Sequence, residues 1–125
     1  MNDPILSFLG LVRKSGNIVF GMDAVKEQCL KGSAKLVLTT SDISENSLEK
    51  ISLFLKQKPE IAFERLDCFK NDVEYVVGKF SAVMAILNEN MARKTVTLIN
   101  ENKLKSSSDI NTKNFERNVA YNDKI

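Results

Sequence analysis

The sequence contains no histidine, and its 125 residues include only two cysteines and two prolines. Without imidazole, Ser-His-Asp and Cys-His nucleophilic chemistry is excluded, and so is every zinc site that requires histidine. Two cysteines are too few for a disulfide framework. These absences predict a protein that is not an enzyme and that holds neither a metal nor another cofactor.

Long apolar runs are also absent. No stretch approaches the roughly 18 residues that a transmembrane helix requires, so no membrane is expected as a partner. The N-terminus, MNDPILSF, carries an acidic residue where a signal peptide would carry basic ones, and we therefore expect a cytoplasmic protein. The net charge of +2 neither demonstrates nor excludes a nucleic-acid partner, because local patches matter more than totals.

What is present is a stretch, Lys14–Thr40, in which three glycines separate short patterned segments. Ile18–Phe20 predicts a strand, the spacing predicts a helix over Met22–Lys31, and Leu36–Thr40 predicts the next strand. Gly21 places the free N–H groups of a helix start beside a strand end, which suits a phosphate or a nucleic acid. The alternative is a core segment in which the glycines serve only as caps.

The rest of the chain alternates between helical and extended patterns. Asn71, with Glu74 three residues on, is interpreted as a capping box. The alternating Ile61–Leu66 predicts a strand that lies at a sheet edge or carries a solvated stripe, whereas the apolar Ser81–Leu87 predicts a strand covered on both faces. The remaining helices are predicted at Asp3–Lys14, from Ser44 to a point before Pro59, at Asn71–Gly78 and at Glu89–Ile99. Asp3 and Ser44 are predicted to be the N-caps of the first two. This alternation predicts helices on both faces of a mixed sheet.

The C-terminal segment and the two cysteines give three further predictions. Because Asn102–Ile125 is polar, we predict a domain over residues 1–101 and a loosely ordered tail over 102–125. Cys29, on an apolar helix face, is predicted in the core, whereas Cys68, in a predicted loop, is interpreted as a partly exposed thiol.

An ordered set of residues resembles one known family. The set comprises K-S-G-x-I-x-x-G at 14–21, a valine four residues later, KGSAKLVL at 31–38, T-S-D at 40–42 and VEYVVGK at 73–79. It resembles the superfamily of ribosomal proteins L-seven-Ae and L-thirty-e, including its small bacterial members, from Ile5 to about Ile99. The resemblance implies a single-domain α/β fold, a three-layer α-β-α sandwich around a four-stranded mixed sheet.

The resemblance also implies binding to kink-turn RNA, an internal loop bent sharply beside tandem sheared G·A pairs. The family's contacts are the start of the helix after the glycine and the apolar loop between the third strand and the next helix. The candidate RNA-binding residues here are Lys14, Gly21, Met22, Asp23, Ala24, Glu27, Lys31, Lys35, Cys68, Phe69 and Lys70. The expected partner is a structured RNA, on the ribosome or elsewhere, and the expected state is a monomer.

The recognition helix departs from the family at three positions. Where asparagine or lysine, then glutamate, glutamine or serine, and then lysine are common, this sequence has Asp23, Ala24 and Glu27. Each carboxylate facing phosphate would cost on the order of 1 kcal/mol. Asp23 either interacts with the helix dipole or accepts hydrogen bonds from a guanine, and Glu27 can pair with Lys31 one turn on. Lys14, Lys31 and Lys35 would supply cations around the site.

Two functional hypotheses follow. The first is a non-catalytic RNA-binding protein that stabilises a bent RNA, and the glycine frame and apolar loop favour it. The second is a diverged family member with weakened RNA binding that acts as a protein-interaction module, and the acidic substitutions favour it. The role of Phe69 is open as well, because this residue either stacks on a base or anchors the core. We favour RNA binding.

Overall fold

Five helices and four strands alternate along the described part of the chain, as the sequence predicts. The computed structural model describes residues 3–114, with the side chains of residues 3–103. The four strands form one sheet in the order β1-β4-β2-β3. In chain order the elements are α1 (Pro4–Lys14), β1 (Ile18–Phe20), α2 (Met22–Lys31), β2 (Leu36–Thr39), α3 (Glu45–Lys56), β3 (Ala62–Arg65), α4 (Lys70–Val77), β4 (Val83–Ile86) and α5 (Glu89–Asn114).

The direction of the strands places three helix starts together. Strand β4 is antiparallel to both β1 and β2, and β2 is parallel to β3, so β1, β2 and β3 all run the same way. Helices α2, α3 and α4 follow these strands, and their N-termini therefore meet at one edge of the sheet. At this edge the N–H of Gly21 donates to the carbonyl of Val83 at 2.9 Å. We refer to it as the upper edge, and to the edge where β1, β2 and β3 begin as the lower edge.

The two faces of the sheet are both covered by helices. Alternate side chains of the central strands point to opposite faces, because successive residues of a strand do so. Leu36 and Met84 belong to a core with α1, α4 and α5, whereas Val37 and Ala85 belong to a core with α2 and α3. The predicted three-layer sandwich around a mixed sheet is therefore confirmed.

The sequence also predicts correctly which strands are covered. Strand β4, within the apolar segment Ser81–Leu87, is central and fully buried. Strand β3 forms one edge of the sheet, and three of its four residues are exposed.

Two helix starts follow the predicted capping signals. The Asp3 carboxylate accepts hydrogen bonds from the N–H groups of Ile5 and Leu6 at 2.9 and 3.2 Å. The Ser44 hydroxyl accepts one from the N–H of Ser47 at 3.1 Å. Each bond satisfies an amide that has no partner inside its helix, which stabilises the helix start.

The predicted start of α4 at Asn71 is wrong, because the helix begins at Lys70 and Phe69 is its N-cap. Two carboxylates account for the earlier start. Asp72 accepts a hydrogen bond from the N–H of Phe69 at 2.8 Å, and Asp42, from the turn after β2, accepts one from the N–H of Lys70 at 3.1 Å. The second contact is remote in sequence, so local spacing does not reveal it.

Helix α5 continues to Asn114, past the predicted end at Ile99. No glycine or proline occurs between residues 89 and 114, so nothing local stops the helix. The predicted boundary between 101 and 102 therefore falls inside α5. The predicted loose order of the tail stays a prediction, and residues 115–125 lie outside the described part. Among the described helices, none is both long enough and apolar enough to cross a bilayer.

The two cysteines are both buried. Cys29 is 2% exposed, as predicted. The interpretation of Cys68 as a partly exposed thiol is wrong, because it is 8% exposed and packs in the core with α1 and α4. Leu66 still bonds to β2 through its N–H, so Leu66 and Cys68, two residues apart, both face the core. Burial raises the pKa of Cys68 to about 12, and the neighbouring carboxylates of Asp3 and Asp72 add to the effect.

Candidate nucleic-acid interface

The start of α2 is open at the upper edge. Gly21 is its N-cap with φ at 97°, a conformation that side-chain-bearing residues rarely adopt, so glycine suits this turn. Gly21 offers no side chain to accept hydrogen bonds from the first amides of the helix. The starts of α3 and α4 differ, because Ser44 caps the first while Asp42 and Asp72 cap the second. Of these three helix starts, α2 therefore retains the most capacity for an external anion.

A cavity of about 220 Å³ lies between these three helix starts. One wall is the Gly21–Met22 turn, and another is Lys70 at the start of α4. The remaining lining residues are Ile43, Ser44, Ser47, Ser81, Ala82 and Val83. The glycine turn and Lys70, both predicted contacts, thus line one cavity.

Two aromatic rings are exposed near Lys70. Phe69 is 58% exposed, so it is a surface residue and not a core anchor. Phe80 is 55% exposed, and its ring centroid lies 5.6 Å from the ammonium nitrogen of Lys70, a cation–π contact. Exposed aromatic faces beside a cation are suited to stacking on unpaired bases.

The segment Lys79–Ala82, which connects α4 to β4, is not among the contact residues predicted from the sequence. This segment reaches the upper edge because β4 runs opposite to its neighbours and begins where they end. It contributes Ser81 and Ala82 to the cavity and Phe80 to the aromatic surface. A local signal was present, since a cation and an aromatic residue, Lys79 and Phe80, directly precede a buried strand.

The polar face of α2 is exposed at Asp23 and Glu27, while Ala24 is half-buried. Glu27 lies 3.3 Å from Lys31, and both side chains are more than half exposed. An exposed pair of this kind contributes only a few tenths of a kcal/mol. The carboxylate of Glu27 is thus directed along the helix toward its C-terminal end.

Several predicted contact residues are not near Gly21. Helix α2 has ten residues and is about 15 Å long, so Lys31 lies far from its start. Lys35 is at the lower edge, where its N–H donates to the carbonyl of Ile86 at 2.8 Å. Lys14 ends α1 and precedes β1, also toward the lower edge. Together with the buried Cys68, these residues form no single surface with the glycine turn.

The upper edge carries charges of both signs. Asp23, Glu45 and Asp72 lie in the first turns of α2, α3 and α4, where a carboxylate interacts favourably with the helix dipole. Burial alone would raise the pKa of Asp42, but the neighbouring Thr40 hydroxyl and Lys70 keep it below its ordinary value. The positively charged Lys70 is therefore accompanied at this edge by carboxylates that stabilise helix starts.

A cleft of about 680 Å³ lies at the lower edge between α5 and the starts of β2 and β3. Its charges are balanced, because Lys35 and Arg93 are accompanied by Glu60 and Glu89, and Arg93 bonds to Glu89 at 2.7 Å. The cleft therefore has no net positive charge that would attract a polyanion. Within the described residues, no group of three or more cysteines and carboxylates is arranged to hold a metal ion.

The comparisons with known proteins agree with the fold. No family model matches the chain. The RNA-binding protein YlxQ of Enterococcus faecium is 24% identical over 98 residues, which are 75% of this chain and 89% of that protein. A protein of unknown function from Bacillus halodurans superposes with a TM-score of 0.73 at 21% identity, covering 79% of this chain and 99% of its own.

A 15.5kD RNA-binding protein of Giardia lamblia has the same fold, with a TM-score of 0.63 at 15% identity over 81% of this chain and 89% of its own. The match to YlxQ supports the resemblance to the L-seven-Ae and L-thirty-e superfamily predicted from the sequence, and the Giardia structure agrees with the fold that this resemblance implies. The relatives with a stated activity are named as RNA-binding proteins and not as enzymes.

Proposed function

We propose, from the resemblance to the L-seven-Ae and L-thirty-e superfamily, that this protein binds a structured RNA at its upper edge without catalysing a reaction. The observation that carries the proposal is the cavity of about 220 Å³ that is lined by both the open start of α2 and Lys70. A helix start with unused amides and a nearby ammonium group are both suited to phosphate oxygens. The RNA is of the kink-turn type, as the resemblance implies.

The arrangement suits a sharply bent RNA more than a regular duplex. Phe69 and Phe80 expose flat faces that can stack on bases extruded from a helix, whereas the bases of an intact duplex are not accessible to them. Asp23, exposed in the first turn of α2, can accept hydrogen bonds from the Watson–Crick edge of a guanine. The protein thereby stabilises the bent form by binding it in preference to the extended one.

The carboxylates at the same edge reduce the affinity. Asp23 and Glu27 stand on the helix whose start meets the RNA, and phosphate repels them. We therefore propose salt-sensitive binding that is weaker than in family members with neutral or basic residues there. The protein acts in the cytoplasm as a monomer.

A protein-interaction module is the second candidate function. The observation that favours it is the first-turn carboxylate on each of the three helices that start at the upper edge, Asp23, Glu45 and Asp72. An acidic edge with exposed aromatic residues is suited to a basic protein surface. On this alternative the fold is retained while the RNA affinity is lost.

The test is a titration of labelled kink-turn RNA and of a straight duplex of equal length, each at two salt concentrations. We expect tighter binding to the kink-turn RNA at both salt concentrations and weaker binding to both RNAs at the higher one. Equal affinity for the two RNAs would contradict kink-turn recognition. Absence of binding to either RNA at low salt would overturn RNA binding and leave the second candidate.

A further inference from the structure

A groove of about 550 Å³ lies between α1 and α4 and carries cations without opposing carboxylates. Arg13 and Lys14 line it, and its described lining contains no aspartate or glutamate. Glu74, on α4, is exposed and is not among the described residues that line the groove.

The two cations of the groove differ in their contacts. A guanidinium nitrogen of Arg13 donates to the carbonyl of Val77 at 3.1 Å, and the same group lies against Gly78, which ends α4. The guanidinium group of Arg13 is thus already bound to the C-terminal end of α4. Lys14 is exposed, and among the described residues no carboxylate lies within ion-pair distance of it. Its ammonium group is available to an external anion.

Helix α4 connects the proposed RNA interface to the groove. Helix α4 begins at Lys70 on the upper edge and reaches the groove at Val76 and Val77. This distance is about 10 Å at 1.5 Å per residue. After α4 the chain leads to Phe80, whose ring contacts the ammonium group of Lys70. This contact links the two surfaces.

We propose that the α1–α4 groove receives the sugar-phosphate backbone of a duplex stem that flanks the RNA bound at the upper edge. Lys14 contacts a phosphate, and Leu11, which is 59% exposed in the groove, packs against sugar. The inference rests on the proposed RNA-binding function. It assigns to Lys14 a role in holding the stem, separate from recognition at the glycine turn, and this role does not depend on sequence because the contact is to backbone.

The test uses the full chain with Lys14→Gln, and Lys50→Gln as the matched control. Lys50 is an exposed lysine of α3, on the opposite face of the sheet. Affinity for kink-turn RNA is measured over a series of salt concentrations, with both stems long and with each stem shortened in turn and closed by a stable loop. Thermal melting monitored by circular dichroism checks that both variants remain folded.

We expect Lys14→Gln to make the slope of log K against log salt shallower by about 1 on the long-stem RNA. The control should match the wild type, and shortening the stem that occupies the groove should remove the difference between Lys14→Gln and wild type. If Lys14→Gln and wild type have equal slopes on long-stem RNA, the groove contact is overturned while the proposed function stands. If wild-type protein does not bind kink-turn RNA, both proposals fail together.

Discussion

The carboxylate of Asp42, in the turn after β2, accepts a hydrogen bond of 3.1 Å from the backbone N–H of Lys70, the first residue of α4. The two residues are 28 positions apart in sequence, so the bond joins two loops of the upper edge. It holds Lys70, a lining residue of the cavity, in place.

Replacing Asp42 by alanine should lower the free energy of unfolding by about 0.5–1 kcal/mol, because the Lys70 amide loses its acceptor. Asp42→Asn, which keeps an acceptor oxygen, should cost less. The pKa of Asp42 is lowered in the folded state, so its contribution is complete above the ordinary value of 3.8 and is lost as the pH falls below it. Urea unfolding at pH 7 and pH 3 measures both effects, and an equal loss for Asp42→Ala at the two pH values would contradict them.

Replacing Thr39 by valine should leave stability unchanged or raise it by about 1 kcal/mol. The Thr39 hydroxyl is fully buried in β2 and has no hydrogen-bond partner among the described residues. Valine fills the same volume without leaving a polar atom unsatisfied, and it favours strands. Thermal unfolding measures the change, with Thr97→Val, at an exposed position of α5, as the control. A loss of 1 kcal/mol or more at Thr39 would show that its hydroxyl is satisfied.

The Cys68 thiol should resist alkylation in the folded protein. With its pKa raised to about 12, only about one molecule in ten thousand carries a thiolate at pH 8. In a Cys29→Ala variant, which leaves Cys68 as the single thiol, iodoacetamide should react at a rate set by unfolding, and urea should accelerate the reaction. Rapid labelling without denaturant would contradict the burial of Cys68.

Replacing Glu27 by lysine should tighten RNA binding, because it exchanges a repelled charge for an attracted one on the helix that starts at the interface. The loss of the Glu27–Lys31 pair should lower the stability by only about 0.3–0.5 kcal/mol. Glu60→Lys makes the same change of charge at the lower edge and serves as the control. If the two variants tighten binding equally, only net charge matters and the placement of α2 against RNA is wrong.

Replacing Phe80 by alanine should weaken binding to kink-turn RNA by about 1–3 kcal/mol, the range measured for stacking on one base. Because the side chain is more than half exposed, the fold should be retained. Phe80→Leu, which keeps apolar volume without an aromatic face, should recover little of the affinity. Full recovery by leucine, measured by the same titration, would contradict stacking.

Features that depend on neighbouring residues could be predicted from the sequence. The order of the elements, the caps at Asp3 and Ser44, the edge position of β3 and the burial of β4 all follow from periodicity and turn chemistry within short segments. The start of α4 could not be predicted in this way, because one of its capping groups, Asp42, comes from a distant turn. The burial of Cys68 could not be predicted in this way either, because the side chains after Arg65 continue to alternate between core and solvent although the strand has ended.

The candidate site depends more on long-range arrangement than the fold does. Gly21 can be identified from local sequence as the turn before α2, since a positive φ and the absence of a side chain are local requirements. That Lys70 and Phe80 lie near this turn, while Lys31 and Lys35 lie toward the opposite edge, follows only from the folded arrangement. Helices and turns are specified by nearby residues, whereas the pairing and direction of strands, which bring helix starts together, are specified by contacts between distant segments.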